Sequence, residues 1–280
     1  MTPNLRGACW MMASMAGFAI EDAFLKTAAG SVPLGQILLT EGLAGMAVFA
    51  LLALRRGEAP LPRTVLTRTM AIRSAFEITG RLFYALAIAL TPLSSTSAIL
   101  QATPLIVVPA AAVLFGERVG AFRWALTGIG FLAVLAIIRP GGEAFTPLSL
   151  LAVVGMLGFA GRDLATRAAP LGLSNAQLGT AGFGVLAMAG VVLSFWTGFK
   201  PIATPGLILG AIVFGVAGYG ALTTAMRTGE VAAVTPFRYS RLVFALILSV
   251  LAFGEHPDAM TLAGSAVIVA CGIALLTRRG

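Results

Sequence analysis

The sequence predicts an all-α integral membrane protein, with ten transmembrane helices arranged as two inverted five-helix repeats. Three observations predict it: a composition too apolar for water, ten apolar segments cut by proline and glycine, and an internal duplication. The chain has 280 residues, 58% of them hydrophobic and 11% charged, with mean hydropathy +0.95. Soluble domains carry about 25% charged residues, because their exterior must be polar. Lipid removes that requirement. The stretches 82–116, 124–138, 168–199 and 201–226 hold no charge at all, and a transmembrane helix needs roughly 20 mostly apolar residues. The apolar runs lack strict two-residue alternation, so a membrane β-barrel fits them poorly. The net charge of +8 does not point to nucleic acid, because the basic residues sit at segment ends and not along one face. Cys9 and Cys271 lie in apolar segments and form no disulfide or metal pattern, so no metal and no cofactor is expected. The first segment has only Arg6 as a positive flank and runs into Glu21 and Asp22 instead of a cleavage site, so it reads as a retained helix.

The ten segments fall at 5–25, 34–54, 68–90, 93–116, 120–138, 147–168, 174–197, 205–227, 230–253 and 258–277. Pro33, Pro60, Pro62, Pro92, Pro140, Pro147, Pro170, Pro201, Pro205 and Pro257 fall near their boundaries. The longest loop is 55–67. Lys and Arg in the loops set the orientation. With the N-terminus inside, the inner loops and tails hold Arg6, Arg55, Arg56, Arg63, Arg68, Arg118, Arg123, Arg167, Arg227, Arg278 and Arg279. The outer loops hold Lys26, Arg139 and Lys200, which is eleven against three. Both termini are therefore expected in the cytoplasm of a bacterial-type inner membrane.

The chain is written twice. Shifted by 141 residues, Met15, Gly17, Phe18, Ala19, Asp22, Ala28 and Gln36 meet Met156, Gly158, Phe159, Ala160, Asp163, Ala169 and Gln177, and Lys26 meets Arg167. Shifted by 138, Phe76 meets Phe214, Gly80 meets Gly218, and Phe115-Gly116-Glu117 meets Phe253-Gly254-Glu255. The longer loop at 55–67 accounts for the changed offset. The repeats are drawn as 1–140 and 141–280. Five is odd, so the second half enters the membrane from the opposite side, and mirrored halves of this kind are a transporter signature.

The pattern resembles the EamA branch of the drug/metabolite transporter superfamily over essentially the whole chain: two five-helix halves, an apolar helix ending in FGE before a short turn, and a glycine-rich helix after it. In that resemblance Glu117 and Glu255 take the family's usual acidic position at the ends of segments four and nine. Within the branch, the stretch GRLFYALAIALTPLSSTSAILQATPLIVVPAAAVLFGE at 80–117 is similar to the YddG-type (aromatic) amino-acid exporters. The resemblance implies a secondary exporter of small metabolites, amino acids including aromatic and other apolar ones, working by alternating access through a central cavity. Export of drugs or other metabolites is the alternative within the superfamily.

A charge at the membrane centre is costly and faces the bundle interior or a wet cavity. The segments contain five acids, Glu21, Asp22, Glu41, Glu77 and Asp163, and five bases, Arg73, Arg81, Arg162, Arg238 and Arg241. That balance favours internal pairing. Arg73, Glu77 and Arg81 share one helix face by their spacing of four. Glu41 and Arg81 are expected to pair between neighbouring helices at similar depth. Glu77 and Arg81 suit either structure or substrate contact, and a buried Glu77 is also a proton carrier in waiting. Asp22 with Lys26, and Asp163 with Arg167, form i,i+4 pairs near opposite faces, which suits alternating gates or simple snorkelling. Pro236 in segment nine, and Pro104 and Pro109 in segment four, are expected to bend their helices. Arg238 is the best group to meet a substrate carboxylate, because a guanidinium binds carboxylates in a bidentate way. Tyr239, Gln101, Ser97, Tyr84, Tyr219, Phe18, Phe159, Trp10 and Ser14 are placed around it, with ordinary helix packing as the competing role for each aromatic.

An enzyme would need a nucleophile–base pair or metal ligands. The single histidine, His256, sits in a turn, and HExxH, GxSxG and a nucleotide-binding loop are all missing from the sequence. A channel would build its pore from a ring of subunits, whereas this chain carries its own pseudo-symmetry. The expected partners are a small-molecule substrate, amino acids first, and the lipid bilayer, without nucleic acid. Nothing in the sequence sets an oligomeric state.

Overall fold

The computed structural model describes residues 2–115, 121–138, 146–167, 172–228 and 235–277. Outside these ranges lie Glu117, Arg118, Arg139, Pro140, Pro170, Arg278 and Arg279, the repeat boundary at 140/141, and residues 230–234 of the ninth segment. The described residues contain helices and no strand. In hydrocarbon every backbone N–H and C=O must be satisfied within its own segment, and helices do this. The helices are α1 (Pro3–Ala28), α2 (Leu34–Arg55), α3 (Arg68–Leu90), α4 (Leu93–Leu100), α5 (Thr103–Phe115) and α6 (Ala121–Ile138) in the first half. The second half supplies α7 (Ser149–Arg167), α8 (Asn175–Thr197), α9 (Pro205–Thr228), α10 (Ser240–Phe253) and α11 (Ala259–Thr277). They make up the ten expected spans, with α4 and α5 forming the fourth. Four of the helices, α1, α2, α8 and α9, contain a window long and apolar enough to cross a bilayer unaided. The surface is apolar, with Leu66, Phe195, Trp196 and Leu251 strongly exposed, while Glu21, Asp22, Glu41, Arg73 and Glu77 are buried.

Local chemistry sets the helix ends. Thr2 and Thr67 cap α1 and α3 with their hydroxyls, and Ser174 with Gln177 forms a capping box on α8. Two spans depart from continuous α-helix. The fourth breaks between α4 and α5 at Gln101 and Ala102, just before Pro104, whose nitrogen cannot donate to the preceding turn. Pro109 leaves α5 uninterrupted. The ninth span does not run as one α-helix from 230: its described part opens with a 3-10 turn, Thr235–Tyr239, around Pro236, and α-helix begins only at Ser240. The two breaks are equivalent, because the 138-residue shift carries Gln101 onto Tyr239.

The packing obeys the same exchange of halves. The broadest contacts are α2 with α8, α1 with α9, α3 with α7, and α6 with α11. Swapping the halves maps α2–α8 and α6–α11 onto themselves and turns α1–α9 into α7–α3. It likewise turns the α1–α10 contact into α7 against α4 and α5. The residues that repeat in sequence make these contacts. A Cβ at Gly17 would lie 3.2 Å from Gly218 Cα and 3.3 Å from Phe214 O, and one at Gly158 would lie 2.4 Å from Gly80 N and 3.0 Å from Phe76 O. Small residues let membrane helices approach this closely, and van der Waals contact is what holds them in lipid. Gln36 donates to Lys200 O (2.9 Å) and accepts from Lys200 N (3.0 Å), while its counterpart Gln177 donates to Ala59 O (3.0 Å). Each half thus holds a loop of the other.

Gly158→Leu is expected to lower the thermal midpoint in detergent sharply, since its side chain meets backbone that cannot yield, an overpacking cost of about 1–3 kcal/mol or more. Gly128→Ala, with nothing within 4 Å of its added Cβ, should leave the midpoint unchanged or raised.

Candidate functional site

Side chains from both halves converge where the broken spans meet. Gln101 Nε2, at the break between α4 and α5, donates to Arg238 O (3.0 Å) on the 3-10 turn. Arg238 is half-buried, and no carboxylate among the described residues lies within ion-pair distance of it. Tyr239 beside it is buried, with its hydroxyl unpartnered among the described residues. Ser97 is buried on α4. These four residues surround the junction of the two discontinuous spans, where unwound backbone and a guanidinium without an ion pair among the described residues can meet a ligand.

Three charged clusters lie around that junction. In the first, Asp22 Oδ2 accepts from Arg241 Nη2 (2.7 Å) and Tyr84 OH (3.0 Å), and the Arg241 guanidinium lies 5.3 Å from the Phe18 ring centroid. In the second, Glu77 lies between Arg73 (2.8 Å) and Arg162 (3.8 Å), and Arg162 also donates to Asp163 (2.7 Å). Phe159 stacks under Arg162 (4.8 Å) and edges onto Tyr84 (5.9 Å). In the third, the carboxyls of Glu21 and Glu41 converge on Gly215, and Arg81 Nη1 lies 4.0 Å from Glu21 Oε1.

Several sequence expectations change here. Arg81 makes its ion-pair contact with Glu21 and not with Glu41, because α1 brings Glu21 into the space between α2 and α3. Asp22 and Lys26 do not pair. Asp22 is taken by Arg241 and Tyr84, while Lys26 donates to Ile88 O (3.2 Å) and Thr91 O (2.5 Å) and faces Glu255 Oε1 (3.5 Å). Asp163 pairs with Arg162, and the side chain of Arg167 lies outside the described residues. Ser14 donates to Gly218 O (2.7 Å), which ties α1 to α9. Trp10 is 45% exposed and takes no part in these clusters. Tyr219 packs against Phe49 and Phe183, at 5.1 and 5.8 Å. Those two phenylalanines escaped the sequence reading. Their signal was reciprocal: Phe183 covers Gly45 and Phe49 covers Gly179 across the α2–α8 contact.

One end of the bundle is latched. Gly254 adopts a left-handed conformation (φ 61°) that ends α10 and turns Glu255 back over the bundle. The Glu255 carboxylate accepts from Leu93 N (2.8 Å), Ser94 N (3.2 Å) and Ser94 Oγ (3.0 Å) at the start of α4, where the helix dipole favours a negative charge. Lys26 completes the latch, so three spans are joined through one carboxylate. The FGE motif therefore has a mechanical meaning: glycine stops the helix and aims the acid.

A family model described as the EamA-like transporter family matches residues 5–139 and again residues 146–278. The pseudopaline exporter of Pseudomonas aeruginosa is 28% identical over 270 residues, covering 94% of this chain and 93% of that protein. The S-adenosylmethionine uptake transporter of Rickettsia prowazekii is 22% identical over 272 residues (95% and 90% covered). The riboflavin transporter of Vibrio cholerae is 24% identical over 281 residues (98% and 93%). None of these three is an aromatic amino-acid exporter, so the likeness supports the broad family and not that narrower type. A solved crystal structure matches at TM-score 0.61 with 20% identity, covering 98% of each chain, which bears on the fold alone.

Proposed function

Since this chain belongs to the EamA-like transporter family, whose members carry small metabolites and are not enzymes, we propose that it moves amino acids, aromatic and other apolar ones included, by alternating access across a bacterial inner membrane with both termini cytoplasmic. The observation that supports the reading is the Arg238 guanidinium, without an ion-pair partner among the described residues, at the meeting point of two broken spans. A substrate carboxylate supplies the partner it lacks, and bidentate pairing fixes its orientation. Tyr239, Gln101 and Ser97 stand next to that position. Tyr84, Phe18, Phe159 and Tyr219 offer ring faces to an apolar side chain, and the Glu77, Arg81, Asp22 and Arg241 clusters hold the walls in register. Repeats divided at 140/141 act as the two moving bodies.

Flux of labelled amino acids into liposomes tests this, with a cationic dye and a nucleoside as controls. Arg238→Ala should lower L-phenylalanine flux at sub-saturating substrate by tenfold or more, since a hydrogen bond to a charged group is worth about 1.5–3 kcal/mol. Dye efflux without amino-acid flux would favour the drug-exporter reading. Unchanged phenylalanine flux in the variant would remove Arg238 from the site.

A further inference from the structure

The two halves carry different charges at three pairs of equivalent positions that meet inside the bundle. The 141-residue shift carries Glu21 onto Arg162 and Glu41 onto Gly182, and the 138-residue shift carries Glu77 onto Gly215. The packing respects this: Glu77 Oε1 lies 3.9 Å from a Cβ built on Gly182, and Glu41 Oε1 lies 2.9 Å from a Cβ built on Gly215. On one side of the bundle, then, the acid on the third span faces the guanidinium of Arg162 from the sixth. On the equivalent side, the acid on the second span faces a second acid, Glu21 of the first.

Among the described residues the other buried carboxylates each have a basic partner. Asp22 is matched by Arg241, and Glu77 with Asp163 is matched by Arg73 with Arg162. Among the described residues, the one ion-pair contact made by Glu21 or Glu41 is that of Glu21 with Arg81, at 4.0 Å. Glu41 is 1% and Glu21 5% exposed, and Glu41 Oε1 and Glu21 Oε2 have no donor among the described residues. Both oxygens point at the same place, 2.9 and 3.2 Å from the Gly215 Cβ position. Two ionised carboxylates buried and placed so would repel each other, whereas one proton gives each oxygen a partner and brings the cluster to neutrality. The facing groups are accounted for element by element. α1 contributes Asp22, already bonded to Arg241 of α10. α3 contributes Arg81, with Glu77 and Arg73 paired to each other. α9 presents Gly215 and, a turn on, Tyr219. α8 carries no charged residue.

We propose that Glu21 and Glu41 form a proton-binding site that holds one shared proton in the shape described here, in the place where the opposite half uses Arg162, and that transport exchanges substrate against this proton. The coupling rests on the transport reading, whereas the proton site stands without it. Movement of α9 relative to α1 and α2 withdraws Gly215, lets water reach the pair and frees the proton. Arg81, close to the pair, disfavours a metal cation in its place.

The full chain in lipid is titrated by infrared spectroscopy, which reads the C=O stretch of a protonated carboxyl. At neutral pH the wild type should show this band, and Glu41→Gln and Glu21→Gln should each lose it, because the new amide donates to the remaining carboxylate and keeps the fold. Absence of the band, its persistence in both variants, or its removal by sodium at constant pH would overturn the proposal. In proteoliposomes, one pH unit across the membrane should shift the L-phenylalanine gradient by about tenfold for one-to-one exchange, and Glu41→Gln should abolish that response. Wild-type flux indifferent to the pH gradient would refute coupling. A band without flux of any panel substrate would refute the transport reading and leave the proton site. Flux without a band would refute the proton site and leave transport.

Discussion

Asp22→Ala should cost the protein about 3–5 kcal/mol of stability or prevent it from folding, the loss expected when one partner of a buried ion pair is removed and the other charge is left alone. Asp22 sits on α1, its partners Tyr84 and Arg241 on α3 and α10, and the side chains of Asp22 and Arg241 are only 5% and 17% exposed. The contact therefore joins three helices at a depth where water cannot replace it. Thermal unfolding in detergent checks the prediction. A second variant separates pairing from packing: Asp22→Asn with Arg241→Met removes both charges and should recover much of the midpoint lost by Asp22→Ala. If Asp22→Ala unfolds at the wild-type temperature, the Asp22–Tyr84–Arg241 cluster does not hold these spans.

Glu255→Gln should open the latched end. The carboxylate accepts three hydrogen bonds from the start of α4 and faces Lys26. The amide keeps the shape but gives up the charge and has one acceptor oxygen in place of two. Charge-assisted bonds are worth about 1.5–3 kcal/mol, so the ratio of closed to open forms should fall by roughly ten- to a hundredfold. Single cysteines at Ser94 or Thr91, on a background lacking Cys9 and Cys271, report the change as faster labelling by a membrane-impermeant maleimide. Lys26→Met should act in the same direction but less strongly, because it leaves the cap on α4 in place.

Much of this architecture could be read before the coordinates, because membrane helices announce themselves locally. Segment three, at 68–90, coincides with α3, and the repeated Gly17, Gly158, Gly80 and Gly218 turned out to be the residues where helices touch. Partner choice was harder. Lys26 lies one turn from Asp22, which made a local pair look natural, yet each found a partner over 60 residues away: Asp22 reaches Tyr84 and Arg241, and Lys26 reaches Thr91 and Glu255. Spacing along one helix says which side chains are neighbours, but not which will be outcompeted by a helix arriving from the other half. Glu41 shows the same limit: helix depth suggested Arg81, and the arrival of Glu21 changed its surroundings. Phe49 and Phe183 were hidden for another reason: a phenylalanine in a lipid-soluble helix does not by itself show which face it takes, and the glycine four residues before each was the sole pointer.

The two halves are expected to rock about the shared charged layer, so that one end opens as the other closes. Spin labels at Thr27 and His256 span the latched end, and labels at Leu66 and Thr228, again one in each half, span the opposite end. Pulsed-EPR distances in lipid, wild type against Glu255→Gln, should lengthen for the first pair and shorten for the second. Distances that lengthen together, or a latched end that opens while the other stays fixed, would contradict it.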